Sequence, residues 1–322
     1  KDMKGLLRGG SKFLKTKGLA TDGDLDCTEA GGGFDDADIN AVTDKAMQRG
    51  KGQCGTLGSG NHFLEIQVVE EVVDEQAARA MGLEEGGIAV MIHSGSRGLG
   101  YQVCDDALRD LRKVPAKYGI ELPDRQLACA PVDSPEGQKY LGAMRAAANY
   151  AWANRQLLMW QTREVFEEFF GKNWEQLQMN LVYDVAHNIA KMEEHTVEGK
   201  AKRLCVHRKG ATRAFPAGHR ETPDRYKHVG QPVIIPGDMG TASWVLVGQP
   251  GSMERSFGSS CHGAGRVMSR TAAIKHAQGR RIDRELADQG VVAKCRSWKG
   301  LAEEQPDAYK DVSLVVDVVH RA

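Results

Sequence analysis

Residues Leu141 to Phe170 (LGAMRAAANYAWANRQLLMWQTREVFEEFF) are an unbroken run of good helix formers, stopped by Gly171. The run is apolar on more than one face, so its spacing predicts a central buried helix. The rest of the chain must supply the cover. It has the means: 41% of its 322 residues are hydrophobic, and 43 Lys and Arg balance 43 Asp and Glu. That composition excludes a disordered chain, which needs low apolar content and unbalanced charge. No uncharged apolar run approaches the ~20 residues that a bilayer demands. The length permits one large domain or two ordinary ones, and with no linker, repeat or low-complexity tract the simplest organisation is one domain over 1–322.

Strands are expected at 62–69 (HFLEIQVV), 88–94 (IAVMIHS), 181–186 (LVYDVA), 203–207 (RLCVH), 232–236 (PVIIP), 243–248 (SWVLVG) and 313–319 (SLVVDVV). Shorter helices are expected at 99–111 and 267–278, and 1–17 reads as a polar stretch. Strands then outnumber helices and do not alternate with them, which argues for an α+β fold and against a doubly wound parallel sheet. Lys1 is not an initiator methionine, and the last apolar run stops without a cap. The chain therefore reads as truncated at both ends. Seven scattered cysteines, an odd number with no C-x-x-C pair, exclude a zinc knuckle or thioredoxin motif. With no signal peptide, a reducing, cytoplasmic compartment fits best.

The zero net charge hides segregation. Asp22 to Asp44 carries eight acids and no Lys or Arg, whereas Lys200 to His228 carries nine Lys and Arg, two acids and three histidines. Glu254 to Arg281 carries six Lys and Arg and one acid. A charge run is ordinarily solvated surface, but a basic half can also draw phosphates.

Glycine is enriched, 37 residues, and it clusters where apolar strands end. Five segments place a polar cluster at the end of an apolar strand, four of them with glycines: Gly55–His62 (GTLGSGNH), His93–Arg97 (HSGSR), Pro236–Thr241 (PGDMGT) and Ser260–Arg266 (SCHGAGR), with Asp184–Asn188 (DVAHN) the fifth. Strand ends are where loops present reactive groups from a rigid scaffold. His62, His93 and His187 each flank a strand. One such histidine is ordinarily structural, but three in matching contexts suggest a transition-metal site. His195, beside two glutamates, reads as surface, while His207, His219 and His228 are phosphate neighbours or solvent-facing. The loops 55–61 and 262–266 offer backbone N–H groups with no side chain in the way, as phosphate sites do. The second runs toward a helical segment, so a helix dipole is expected to point at His262. Arg266 and Arg270 follow it. If 62–69 is a strand, Asn61 and Glu65 face away from His62, so a bend at Asn61 is expected to bring them to one pocket. Asn188 and Asp238 could read a base. Cys261 is expected to be a packed cysteine, since no base for a thiol nucleophile adjoins it.

Taken together and in order, GTLGSGNHFLEI, MIHSGSRGLG, YDVAHNIA, HRKGATRAFPAG, PGDMGTASWVLVG and SSCHGAGRVMSR closely resemble the RtcB family of RNA ligases. The resemblance spans nearly the whole chain. It implies a single α+β domain with mixed and antiparallel sheets around a central active-site cleft. It implies an enzyme of tRNA splicing and RNA repair that joins RNA 3′-phosphate or 2′,3′-cyclic phosphate ends to 5′-hydroxyl ends, using GTP and manganese(II), with two ions in the complete protein. Carried over by motif, His262 is the nucleophile that becomes guanylylated, and His62, His93 and His187 are manganese ligands. Asn61, Glu65, Asn188, Pro236, Gly237, Asp238, Met239, Ser243, Gly263, Ala264 and Gly265 contact the guanylate, with Tyr309 a candidate near the guanine. Arg97, Arg266 and Arg270 hold RNA phosphates. The partners implied are RNA with those ends and an activating protein, with no membrane. The family's D-x-x-C-G motif, which supplies an aspartate and a cysteine ligand, is expected upstream of Lys1, and its C-terminal lysine beyond Ala322. Two alternatives stay open: a metal-dependent phosphodiesterase or phosphatase, and a non-catalytic RNA-binding relic.

Overall fold

The run of helix formers makes a single helix of 36 residues, Pro135–Phe170. Ser134 caps it by accepting from Gly137 N at 3.1 Å, Pro135 occupies its first turn, and Gly171 ends it at φ 64°. At about 1.5 Å per residue it is a rod roughly 54 Å long. In this computed structural model the structure describes residues 2–321, the Arg125 side chain aside. Along the chain the helices and strands run α1 (Met3–Lys15), α2 (Asp22–Asp26), α3 (Asp44–Gly50), β1 (Phe63–Val68), α4 (Glu75–Met81), β2 (Ile88–His93), α5 (Arg97–Leu111), α6 (Val114–Lys117) and α7 (Pro135–Phe170). There follow β3 (Asn188–Val197), β4 (Lys200–Lys209), β5 (Ala211–Arg213), β6 (Pro232–Ile235), β7 (Trp244–Val247), α8 (Pro250–Ser256), β8 (Ser259–Cys261), α9 (Arg270–His276), α10 (Ile282–Ala287), α11 (Trp298–Glu303) and α12 (Val312–Arg321). Helix and small antiparallel sheets coexist, so the fold is α+β, but among the described residues helices outnumber strands, the reverse of the expected balance. No helix among them is long and apolar enough to cross a membrane.

The chain divides into two compact units. The first holds the residues up to Gly58, Phe63–Gln67 and Ala89–Asp184; the second holds Ser59–His62, Val68–Ile88 and the residues from Val185 onward.

In the first unit α7 is wrapped on several sides, as its apolar faces require. Leu6, Leu7 and Leu14 of α1 and Leu99 and Val103 of α5 share one core with Ala143, Ala146, Tyr150, Ala153 and Leu157 of α7. Fully burying one such leucine contributes about 1.5–3 kcal/mol. The stretch read as polar at the start of the chain is therefore an amphipathic helix. Its signal, Leu6-Leu7 and Phe13-Leu14 a helical turn or two apart, was masked by Gly9 and Gly10. At Gly10 α1 kinks through φ 53°, where a Cβ would stand 2.3 Å from the Gly32 carbonyl oxygen. The acidic segment is answered locally: Asp35 meets Lys12, Asp36 meets Arg145, Asp22 meets Lys15, and buried Asp24 accepts two bonds from buried Arg163 at 2.8 and 3.0 Å. Burial pushes the Asp24 carboxyl up, but Arg163 and the Thr21 N–H outweigh it and hold it below the usual carboxylate range.

The second unit is built on three two-stranded antiparallel sheets, β3–β4, β5–β8 and β6–β7. The β3–β4 hairpin turns on Glu198 and Gly199, both at positive φ (53° and 74°), as a right-handed twist favours in two-residue turns.

Two expected strands are absent. Residues 313–319 lie in α12, where Val312 and Val316 pack on Val233 and Ile235 while Leu314 and Val318 are exposed. Helical spacing of the buried valines overrides the strand preference of β-branched residues. Residues 181–186 form no strand; Asp184 makes one isolated bridge to Thr28. The helix expected at 267–278 is shorter, since Ser269 caps it at its own hydroxyl and it starts at Arg270. Strand β3 was not anticipated. Its inward face carries Lys191, Glu193 and His195, all buried, so it lacks the alternation that marks a strand.

Candidate functional site

In the second unit the site grows from one glycine. β4 ends at Lys209 and β5 begins at Ala211, leaving Gly210 between them at φ 65°, a conformation that favours glycine. Its N–H donates to the His187 carbonyl at 2.8 Å and reaches the Asn188 side-chain oxygen at 3.1 Å. Its own carbonyl accepts from the His262 N–H at 3.1 Å. His187 precedes β3 and His262 follows β8, so two strand ends distant in sequence meet across a single residue. Their imidazoles stack face to face, with centroids 3.8 Å apart and planes 5° apart. Neutral imidazole is the form that ligates transition metals and attacks phosphorus, and paired rings of this kind suit both.

The surroundings are polar and cationic. Register places Lys209 directly opposite Asn188. Lys209 was not singled out from the sequence; its position, last in a basic strand and just before the glycine, is the signal that could have found it. The loop closing β6–β7 is a self-bonded turn. Gly237 N donates to Ser243 Oγ at 3.1 Å, Asp238 N to Thr241 Oγ1 at 3.0 Å, and Gly240 N to Asp238 Oδ1 at 2.8 Å. Burial pushes the Asp238 carboxyl above the usual range despite these bonds. A Cβ on Gly263 would lie 3.9 Å from the Pro236 carbonyl oxygen, so the 236–243 and 263–265 loops adjoin. Met239 turns away, packing on the core of Ile282 and Leu286, and Ala264 packs beside Ile235.

The helix expected to aim its dipole at His262 does not begin there. Arg266 makes an isolated bridge to Tyr309, the Val267 and Met268 N–H groups donate to the Ala308 carbonyl at 2.8 and 3.3 Å, and α9 starts eight residues after His262. The Arg266 guanidinium is committed inward, donating to Glu304 at 2.9 Å, to the Tyr309 hydroxyl at 3.0 Å and to the Met268 carbonyl at 3.0 Å. Burial, then Glu304, pushes the Tyr309 hydroxyl up to about 12. Arg270 is half exposed, and a Cβ on Gly60 would stand 3.3 Å from it. The segment carrying Asn61 and His62 thus runs beside Arg270. Cys261 is packed, and burial pushes its thiol up, which suits a core cysteine.

His195 corrects the sequence expectation. It is buried, not on the surface, between Phe257 and the Glu193 carboxylate, which it meets at 3.0 Å. Glu193 also takes two bonds from Arg208 at 2.6 and 2.9 Å, and Arg208 reaches Ser259 Oγ at 2.9 Å and the Phe257 carbonyl at 3.0 Å. This buried knot ties the hairpin that follows His187 to the strand that precedes His262.

In the first unit, His93 ends β2 and packs edge-on against Phe63, with centroids 5.5 Å apart. Glu65 lies on β1 and accepts from Gln67 at 2.8 Å. Asn154 of α7 staples two glycine loops with one carboxamide. Its oxygen accepts from Gly55 N at 2.7 Å and Thr56 N at 3.1 Å; its nitrogen donates to Ser94 Oγ and the Gly95 carbonyl, each at 3.0 Å. Arg97, at φ 55°, donates to Thr56 Oγ1 at 3.2 Å. Arg155 binds Asp184 at 2.7 Å, yet burial wins and pushes that carboxyl up. Asn154 was missed because one asparagine inside an apolar helix carries no sequence signal.

The family described as tRNA-splicing ligase RtcB matches residues 1–322. The chain belongs to the RtcB family. Proteins named tRNA-splicing ligase RtcB from Thermococcus kodakarensis and Archaeoglobus fulgidus are each 54% identical to it, over 98% and 97% of this chain and 66% and 65% of their own lengths. One of the same name from Methanocaldococcus jannaschii is 53% identical over 99% of this chain and 33% of its own length. The chain thus spans between one third and two thirds of these RtcB relatives.

Proposed function

We propose that this chain carries the nucleotidyl-transfer centre of a GTP-dependent RNA ligase, joining RNA 3′-phosphate or 2′,3′-cyclic phosphate ends to 5′-hydroxyl ends in tRNA splicing and RNA repair. The observation that carries this reading is the stacked pair His187 and His262 across Gly210, in a member of the RtcB family. In it, His262 attacks the α-phosphorus of GTP; a nitrogen–phosphorus bond forms and pyrophosphate leaves. A 2′,3′-cyclic phosphate is first opened by water to the 3′-phosphate; the RNA 3′-phosphate then takes the guanylate from His262, and the 5′-hydroxyl displaces GMP from that activated end. Activation is required because a phosphate monoester has no good leaving group.

His62, His93 and His187 are the imidazoles proposed to hold manganese, and the nitrogen donors fit a transition metal. Manganese supplies charge neutralisation on phosphoryl oxygens when bound. Everything else falls to the chain. Asn61, Glu65, Asn188, Ser243 and the backbone of 236–239 and 263–265 would seat the guanylate, with Lys209 beside Asn188 to meet its charge. Arg97 and Arg270 are the arginines proposed for RNA phosphates, with Arg266 bracing the loop that carries His262. Cytoplasmic action and an activating protein partner belong to the same proposal.

Incubation with GTP labelled at the α-phosphate tests it. An acid-labile label on the protein, lost in His262→Ala, is expected. Release of inorganic phosphate with no adduct would instead indicate the hydrolase, and RNA binding indifferent to GTP and manganese the relic.

A further inference from the structure

The nine cations between Lys200 and His228 divide into two classes once their partners are known. Arg208 and Arg213 are spent on Glu193 and Glu221, each at 2.6 Å. Arg225 donates to the Ala80 carbonyl at 3.0 Å, and Lys227 to the carbonyls of His219, Arg220 and Thr222 at 3.2, 2.9 and 3.0 Å. These four fold the unit. The others stand on the β3–β4 hairpin or beside it. Strand alternation turns Leu204, Val206 and Arg208 inward and puts Arg203, Cys205, His207 and Lys209 on the other face, where Arg203, His207 and Lys209 are exposed. Their register partners on that face are Glu194, Met192, Ala190 and Asn188. Glu194 is the single carboxylate among them, and Arg220, itself exposed, holds it at 3.0 Å. Lys209, Arg203 and Arg220 therefore confront one acid.

We propose that this face is a track for the backbone of single-stranded RNA, with Arg203, His207 and Arg220 contacting the phosphates upstream of the 3′-phosphate end. The proposal rests on the ligase reading for which RNA end enters. The track starts at Lys209, opposite Asn188 and next to the stacked histidines, and leads away from them along β4. Residues two apart on a strand are about 6.6 Å apart, a step comparable with the repeat of phosphates along an extended strand. From Lys209 to Arg203 the face covers roughly 20 Å, several nucleotides. Contacts of this kind go to phosphates, so binding depends on RNA length and salt and is indifferent to base sequence.

The test is fluorescence anisotropy with 3′-phosphorylated RNAs of about four and about sixteen nucleotides, lengths that bracket single-strand site sizes. For Arg203→Ala with Arg220→Ala, affinity for the long RNA is expected to fall about tenfold, and its log–log salt slope to flatten by about 1.4, or 0.7 per lost contact. The short RNA should bind as before. Arg203→Lys with Arg220→Lys should bind the long RNA nearly as wild type, and Glu194→Gln should tighten it. An equal loss on both lengths, no loss, or lysine variants as weak as the alanine ones would overturn the track. Thermal melting of each variant checks that it folds. Labelling of the wild-type chain by GTP is measured separately: its absence would defeat the ligase reading while leaving a length-dependent binding loss as support for the track.

Discussion

The two units bury charge and amide groups for opposite reasons. In the first, the polar groups hang from one helix. Asn149, Asn154, Gln156 and Arg163 are all on α7 and all buried; the two asparagines reach separate pieces of chain, while Gln156 and Arg163 converge on Asp24. Asn149 alone ties the carbonyls of Leu7, Arg8 and Phe34. One rigid rod thus sets the positions of many loops. In the second, no element among the described residues exceeds ten residues, and buried charge joins strands to one another, as Glu193, Arg208 and His195 do between the hairpin and the three-residue β8. A rod tolerates the loss of a peripheral contact. A three-residue strand such as β8 does not, because it has few other bonds.

The sharpest way to break this comparison is Asp24→Ala. It strands the buried Arg163 guanidinium, and losing one partner of such a pair costs about 3–5 kcal/mol. Thermal melting should show the loss. Native-state hydrogen exchange should show it first in α1 and α7, with β3–β4 amides unchanged; uniform acceleration would mean that the two units unfold as one. Acid sharpens the same point. Asp24 is held below its ordinary range, and Glu193 is too: burial raises it, and Arg208 and His195 outweigh that. Each therefore adds stability that is complete above the ordinary carboxylate range and is lost as pH falls through its lowered folded value. Acid unfolding followed by circular dichroism should shift to higher pH in Arg208→Ala and in Arg163→Ala.

Asn154→Ala comes next. It leaves the Gly55 and Thr56 N–H groups without their acceptor, a cost of about 2–3 kcal/mol, and it should loosen residues 55–58 and 94–97 in hydrogen exchange while leaving the second unit's amides alone. The smallest expected effect on stability is Gly210→Ala, about 1 kcal/mol for a non-glycine residue at positive φ. Nothing stands within 4 Å of the added methyl, so the chain should still fold. Its GTP labelling should nonetheless fall well below that of wild type; unchanged labelling would separate the glycine from the chemistry.

How much could be seen beforehand follows the same division. The α7 span, its Gly171 stop and the strands at 62–69, 88–94, 232–236 and 243–248 were legible, because their burial is apolar and periodic. Strand β3 was not, since its buried face reads Lys191, Glu193 and His195, and only the fold supplies Arg208 to make that burial tolerable. The motif around His262 stood out by its glycines, and that around His187 by a polar cluster after an apolar run. That these two rings stack was invisible, because it depends on a pairing between residues 75 positions apart. The helix expected from Val267 starts only at Arg270 for a local reason: Arg266 and Val267 pair with 308–309, and a paired backbone cannot enter a helix.

Gly210 bears on how such a centre could vary. The gap between the two rings is gauged by main-chain atoms, with an amide hydrogen on one side and a carbonyl oxygen on the other. Side chains nearby can drift over generations without detuning it. The vulnerable changes are insertions or deletions between β4 and β5, where one extra residue would slip the gauge and separate the partners outright.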